Sequence, residues 1–293
     1  MIKKFVIFLL LIVICKGRVH QCQVFDLSWP FNNRTVFWGD SEGFQFTNQI
    51  ASEQSNGDWY VRKNFKSMFF SILNRFATND FKSSEHGGTH LDAPYHFVKT
   101  GWKVGDIPLQ NLLASGIKID LSDISNNDAL LLPKHLVAWK KKYGSIPTNS
   151  IILVYFNWST YYHNKTQYLG GVAPSSYKFP GTIVSIYDLF EIHIVLSLGI
   201  SLEAAEWIVQ NTKIVGIGID TASIDQGQSI SFSAHKIFLK NNIYQLENVK
   251  IPKSLPVKGF KLIVMPMNIQ EGTGAPVRLV AYSKACWRIF LES

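Results

Sequence analysis

Glu85-His86-Gly87-Gly88-Thr89-His90-Leu91-Asp92-Ala93-Pro94-Tyr95-His96 gathers three histidines and an aspartate within eleven residues, in a chain of 293 with eight histidines in all. On a helix, the His-x-x-x-His spacing of His86 and His90 would place two imidazoles on one face. Gly87, Gly88 and Pro94 argue against a helix: glycine gives up the most backbone freedom there, and proline removes a donor. The stretch predicts a tight loop whose glycines let the backbone bend around a small object. His86, His90 and Asp92 can converge on it with two nitrogens and one oxygen, a donor set suited to zinc or manganese. The competing reading is a polar loop whose histidines only hydrogen-bond. The density of ligating side chains weighs against it.

Outward from this stretch, the chain alternates strands and helices. Residues 116–124 alternate apolar and polar side chains like a half-buried strand, and 151–156, 214–219, 260–265 and 278–282 are short apolar, largely β-branched runs expected of central strands. Residues 132–142, stopped by Gly144, read as a helix. Ser201 can cap another, with Glu203 in its first turn and Leu202, Ala205, Ile208 and Val209 along one face. This pattern predicts an α/β fold with a mixed sheet. Residues 24–81 are aromatic-rich and less regular, and no repeat or long linker divides the chain. One domain over residues 24–293 is the expected organisation.

The pattern His-x-Gly-Thr-His-x-Asp-x-Pro-x-His, filled here by His86, Gly88, Thr89, His90, Asp92, Pro94 and His96, resembles the signature of the cyclase-type metal hydrolases. That family includes bacterial kynurenine formamidases and isatin hydrolases. The resemblance continues through 218–225, 233–236, 246–248 and 272–278, and more loosely through 35–40. It implies a swivelling β/β/α domain with a mixed, barrel-like sheet. It also implies two divalent ions, zinc or manganese, held by His86, His90, Asp92, His235 and Glu247, with one carboxylate bridging and His96 as general acid/base. On their own, His235 reads as an ordinary helix histidine and Glu247 as a surface carboxylate. Asp220 and Asp225, at the expected carboxyl end of a strand, either orient ligands from behind or cap the following turn. Trp38, Trp59, Phe65 and Phe69 are candidate walls for a flat aryl substrate, though most large aromatics are simply core.

The amino terminus, Met1-Ile-Lys-Lys followed by an apolar run from Phe5 to Cys15, has the form of a secretory signal peptide over residues 1–17; a retained anchor is the alternative. Without Lys3, Lys4 and Lys16 the net charge of the full chain, +8, falls to +5, from 26 basic against 21 acidic residues. That mild positive charge carries no basic patch interleaved with aromatics, and Lys140 to Lys142 read as a solvated helix end rather than a nucleic-acid surface. Sequons at Asn33, Asn157 and Asn164 fit export, a secreted location and no stable membrane insertion after cleavage. Cys22 and Cys286 allow at most one bridge in the mature chain.

The resemblance implies cleavage of a carbon–nitrogen amide bond, best of all in N-formylkynurenine, giving kynurenine and formate in tryptophan catabolism. A cyclic amide such as isatin is the alternative substrate, and an inactive secreted metal- or ligand-binding protein the alternative role. A homodimer or larger homo-oligomer is expected. One departure stands out: residues 182–199, an apolar run, separate Phe179-Pro180-Gly181 from the helix that normally follows directly. They read as an additional buried element or as an intron retained in the gene model.

Overall fold

A computed structural model describes residues 22–39, 41–49, 52–53, 59–60, 78–123, 130–171, 183–184, 194–195, 199–227 and 229–283. The eight strands of the main sheet are β1 (Val24–Asp26), β2 (His90–Asp92), β3 (Leu113–Asp120), β4 (Ser150–Tyr155), β5 (Gly216–Ile219), β6 (Tyr244–Glu247), β7 (Lys258–Pro266) and β8 (Gly274–Ser283). They run in the order β1-β8-β7-β3-β4-β5-β6-β2, and β2 pairs back onto β8. Seven strands thus close a mixed barrel and β1 extends one edge. β3, β4, β5 and β6 are mutually parallel, while the β6–β2, β2–β8, β8–β7 and β7–β3 pairs are antiparallel.

The period of two along β4 divides the core. Ile151, Leu153 and Tyr155 join one buried cluster with Leu91, Leu246, Phe260 and Leu279; Ile152, Val154 and Phe156 join a second. Only the second contains α-helical residues, among them Leu136 and Trp139 of α1 (Pro133–Tyr143) and Ala204, Ala205 and Ile208 of α3 (Leu202–Asn211). The first cluster is therefore the barrel interior, and the second is the layer between sheet and helices. β5 is buried on both faces, and its glycines make room for its neighbours. A Cβ on Gly216 would lie 2.6 Å from the Tyr244 ring, and one on Gly218 would lie 2.7 Å from Leu153.

Local signals explain the helices. The Ser201 hydroxyl accepts a hydrogen bond from the Ala204 N–H at the start of α3, and Gly144 ends α1 with φ 95°. Between them lies α2 (Lys165–Leu169), capped by the Asn164 side chain, which accepts from the Gln167 N–H. α4 (Ser233–Lys240) packs against β6, where the Gln245 side-chain amide donates to the His235 carbonyl.

The expected loop at His86–His96 is corrected by the structure. His90–Asp92 is a strand that closes the barrel, and Pro94–His96 is a 3-10 turn. Glycines shape only the approach: Gly88 adopts φ 56°, and a Cβ on Gly87 would fall 2.0 Å from the Phe37 ring. The strand predicted at 116–124 begins and ends earlier, at Leu113–Asp120.

Residues 1–17 lie outside the described residues, and so does most of 182–199, where only the short antiparallel pair Ile183–Val184 and Ile194–Val195 is described before Gly199. Cys22 is disulfide-bonded. Among the described residues, no helix is long and apolar enough to cross a membrane.

Candidate metal centre

β2 carries the centre because its period of two sends His90 and Asp92 to one side and Leu91 into the barrel interior. Its antiparallel register with β6 sets Glu247 opposite His90. His235 comes from the first turn of α4, and His86 from the glycine turn that precedes β2. Two stretches of chain far apart in sequence, residues 86–92 and 235–247, thus deliver five side chains to one point.

Two groups share Asp92: His86, His90 and Asp92, and Asp92, His235 and Glu247. Within each group the ligand atoms lie within 4.8 Å of one another. Asp92 Oδ1 is 2.6 Å from His86 Nδ1 and 3.2 Å from His90 Nε2, and its Oδ2 is 3.6 Å from His235 Nε2. Glu247 presents Oε1 3.2 Å from His235 Nε2 and Oε2 3.6 Å from His90 Nε2. All but His86 are nearly inaccessible to solvent.

The donor set fits one or two divalent ions because each imidazole has its outer nitrogen tied off. His90 Nδ1 is 3.0 Å from the Gly88 carbonyl, His235 Nδ1 is 2.6 Å from Asp225 Oδ2, and His86 Nε2 is 2.9 Å from Thr273 Oγ1. The three inward nitrogens, His86 Nδ1, His90 Nε2 and His235 Nε2, face the two carboxylates. This is the arrangement in which outer partners fix the tautomer and orientation of metal-ligating histidines. Asp92, reaching both groups through different oxygens, is placed as the shared carboxylate.

The electrostatics show how strongly the site favours cations. Burial alone would lower His90, but Asp92 and Glu247 outweigh it and raise its pKa to about 9. His235, also opposed by burial, is held well above its ordinary value by Asp225, Asp92 and Glu247. Burial tends to raise Asp92, yet His90, His86 and His235 keep it well below the usual carboxylate range.

His96 behaves differently. Its ring stacks on His86 with centroids 4.1 Å apart and lies 6.3 Å from His235. Burial pushes it down to about 4; Asp92 pulls the other way, and the surrounding histidines add to the depression. It is a neutral imidazole at neutral pH.

A cavity of about 340 Å³ opens onto these groups. Phe37, Trp38, Phe97 and Phe232 form its aromatic walls. Phe97 and Phe232 have centroids 5.5 Å apart, and both rings meet that of His235. Asn248 also lines the cavity, and its buried Oδ1 has no hydrogen-bond partner among the described residues.

The two aspartates offered as orienting groups part company. Asp225 supports His235 and also accepts the Ala234 and His235 backbone N–H groups at the start of α4. Asp220 touches no ligand: it accepts the backbone N–H groups of Phe156, Trp158 and Ser159, holding the turn after β4. Of the aromatic candidates, Trp38 lines the cavity. Trp59 sits in a short strand, Trp59–Tyr60, paired with Ser52–Glu53, and its side chain is not among the described residues; Phe65 and Phe69 also lie outside them.

Sequence reasoning missed Phe97, Phe232, Asn248 and Thr273. Phe232 has φ 48°, ψ 49°, an uncommon left-handed conformation for a bulky residue that no neighbouring turn signal announces. Thr273 lies in the resembling stretch 272–278 but 187 residues from His86, so nothing local marks the contact.

Residues 25–226 match the model of the Cyclase family. An isatin hydrolase from Roseibium aggregatum is 29% identical over 217 residues, covering 70% of this chain and 74% of the relative. A kynurenine formamidase from Salinibacter ruber is 25% identical over 255 residues, covering 87% and 95%. Among solved structures, an isatin hydrolase bound to the product analogue thioisatinate superposes with a TM-score of 0.70 at 24% identity, over 89% of this chain and 92% of that one. This last likeness bears on the fold alone.

Proposed function

The chain belongs to the Cyclase family, and from that premise we propose that it is a divalent-metal-dependent hydrolase of a carbon–nitrogen amide bond, with an N-formyl arylamine such as N-formylkynurenine as its substrate. The observation that carries this reading is the convergence of three inward-facing imidazole nitrogens on Asp92 and Glu247 at the floor of an aromatic-walled cavity. The similarity to curated kynurenine formamidases along most of their length supports the substrate class.

His86, His90, Asp92, His235 and Glu247 would hold the metal, zinc or manganese, as one or two ions. When bound, a divalent ion supplies Lewis acidity, lowering the pKa of water from about 15.7 towards about 7 and polarising a carbonyl oxygen. The chain's own residues do the rest. Phe37, Trp38, Phe97 and Phe232 take the flat aryl part of the substrate and exclude bulk water around the amide. His96, neutral at the start, accepts a proton as the water oxygen bonds to the carbonyl carbon. It returns that proton to the nitrogen as the C–N bond breaks. Formic acid and the free amine leave, and the acid gives its proton to solvent to become formate.

A cyclic amide is the second reading, favoured by the 29% identity to an isatin hydrolase. The same steps would then open a ring and leave acid and amine on one molecule. Assaying formate release from N-formylkynurenine alongside opening of isatin separates the two: formate release is the expected result, and isatin opening alone would keep the chemistry and change the substrate. Turnover of neither, in protein that retains its metal, would favour a binding role.

We propose further that the protein is exported and works as a homo-oligomer. A disulfide at Cys22 is at home in an oxidising compartment, and Asn33, Asn157 and Asn164 are all exposed, as glycan attachment requires.

A further inference from the structure

Behind His86 lies a chain of hydrogen bonds that runs away from the cavity. Glu85 Oε2 accepts from the Thr273 hydroxyl at 2.6 Å, from the Thr273 backbone N–H at 2.9 Å and from the Gly274 N–H at 3.2 Å. Thr273 Oγ1 in turn lies 2.9 Å from His86 Nε2. A hydroxyl has one proton, and an ionised carboxylate can only accept. The Thr273 proton is therefore committed to Glu85, and toward His86 the same oxygen can only accept. His86 therefore carries a proton on Nε2, and the 2.6 Å contact from its Nδ1 to Asp92 Oδ1 is a hydrogen bond whose proton a metal ion would replace, which makes Nδ1 the nitrogen free to ligate.

The turn that brings Thr273 here fits closely around the ring. A Cβ on Gly274 would lie 2.5 Å from His86 Cε1 and 2.8 Å from the Leu91 carbonyl oxygen, so only glycine lets β8 begin at this distance. His86 is the most solvent-accessible of the proposed ligands and precedes the barrel strand rather than lying in it. It is the ligand most in need of an external constraint.

We propose that Glu85 and Thr273 are positioning residues that lock the tautomer and ring orientation of His86 for metal capture. The Glu85 carboxylate sets the direction of the Thr273 hydroxyl, and that hydroxyl sets His86. The inference rests on the reading that His86 is a metal ligand. It adds two residues outside the ligand set, one adjacent in sequence and one 187 residues away.

The test is zinc affinity of the full-length purified protein, by competition against a chelator of known affinity, for wild type, Thr273→Val, Thr273→Ser, Glu85→Ala and His86→Ala. Removing an outer partner of a metal-bound histidine weakens binding by about 10- to 100-fold. Thr273→Val and Glu85→Ala should each show a loss of that order. Thr273→Ser, which restores the hydroxyl without the methyl, should bind like wild type. A merely structural role for Thr273 would not be rescued by the hydroxyl alone. Thr273→Val binding zinc as tightly as wild type, while His86→Ala binds weakly, would overturn the inference and leave the metal site standing. Wild-type protein that binds no zinc, or His86→Ala that binds normally, would overturn the ligand assignment and the inference with it. If Glu85→Ala disturbs the turn, the Val and Ser variants at position 273 still decide the matter.

Discussion

At the residue scale, the proposed function separates groups that would hold a metal from one that would move a proton. His96→Ala should retain its metal through gel filtration yet lose about 10²- to 10⁴-fold in kcat, the usual contribution of a positioned acid/base. His90→Ala and Asp92→Ala should lose the metal itself. Elemental analysis beside kcat distinguishes these outcomes, and equal metal loss in all three would mean that His96 is a ligand. Gly274→Ala is a sharper steric probe: its new methyl would sit 2.5 Å from His86 Cε1, and zinc affinity should fall although no polar group changes. The first half of this site was legible because His86, His90, Asp92 and His96 lie within one short motif. Glu85 was legible as an identity but not as a role, since its partner Thr273 is contributed by the far end of the chain.

At the scale of elements, β2 shows why its own structure was not legible. Three residues carry no periodicity that could distinguish a strand from a loop, and the glycines and proline around them point away from regular structure. Its pairing comes from β6 and β8, more than 150 residues downstream. The longer elements announced themselves: β4 by the apolar, largely β-branched run 151–156, α3 by its serine cap and apolar face. Leu91→Ala should cost about 2–5 kcal/mol in denaturant unfolding, since it empties the interior behind the strand that carries two ligands.

The turn after β4 depends on Asp220, whose pKa burial raises to about 7 against the pull of three backbone N–H groups. The unfolded chain titrates this group near 3.8. Because the folded value is the higher one, its contribution to stability is complete below about pH 4 and is lost as the pH rises through about 7. Asp220→Asn cannot ionise. The stability gap between wild type and this variant should therefore shrink from pH 5 to pH 8, measured by urea unfolding; a constant gap would contradict the assignment.

At the scale of the whole molecule, the barrel brings the ligands together by closing. β2 meets both β6 and β8, so the motif, the Glu247 strand and the Thr273 turn become neighbours only when the seventh strand is in place. Alternating strands and helices made the α/β class legible, whereas closure depends on pairings between distant segments. His235 and Glu247 were legible only by resemblance for the same reason. A metal held by β2, β6, α4 and the preceding turn, as proposed, would tie these segments in the folded state alone. Adding zinc to stripped protein should accordingly raise Tm, by an amount that grows with the logarithm of free zinc.

The most direct test of the central claim is turnover of N-formylkynurenine by chelator-stripped protein, before and after zinc or manganese is restored, with formate as the readout. Formate release abolished by stripping and recovered with either ion is the predicted result. Release that persists in protein shown to be metal-free would contradict the account, since His96 and an aromatic cavity would then be sufficient without the five ligands beside them.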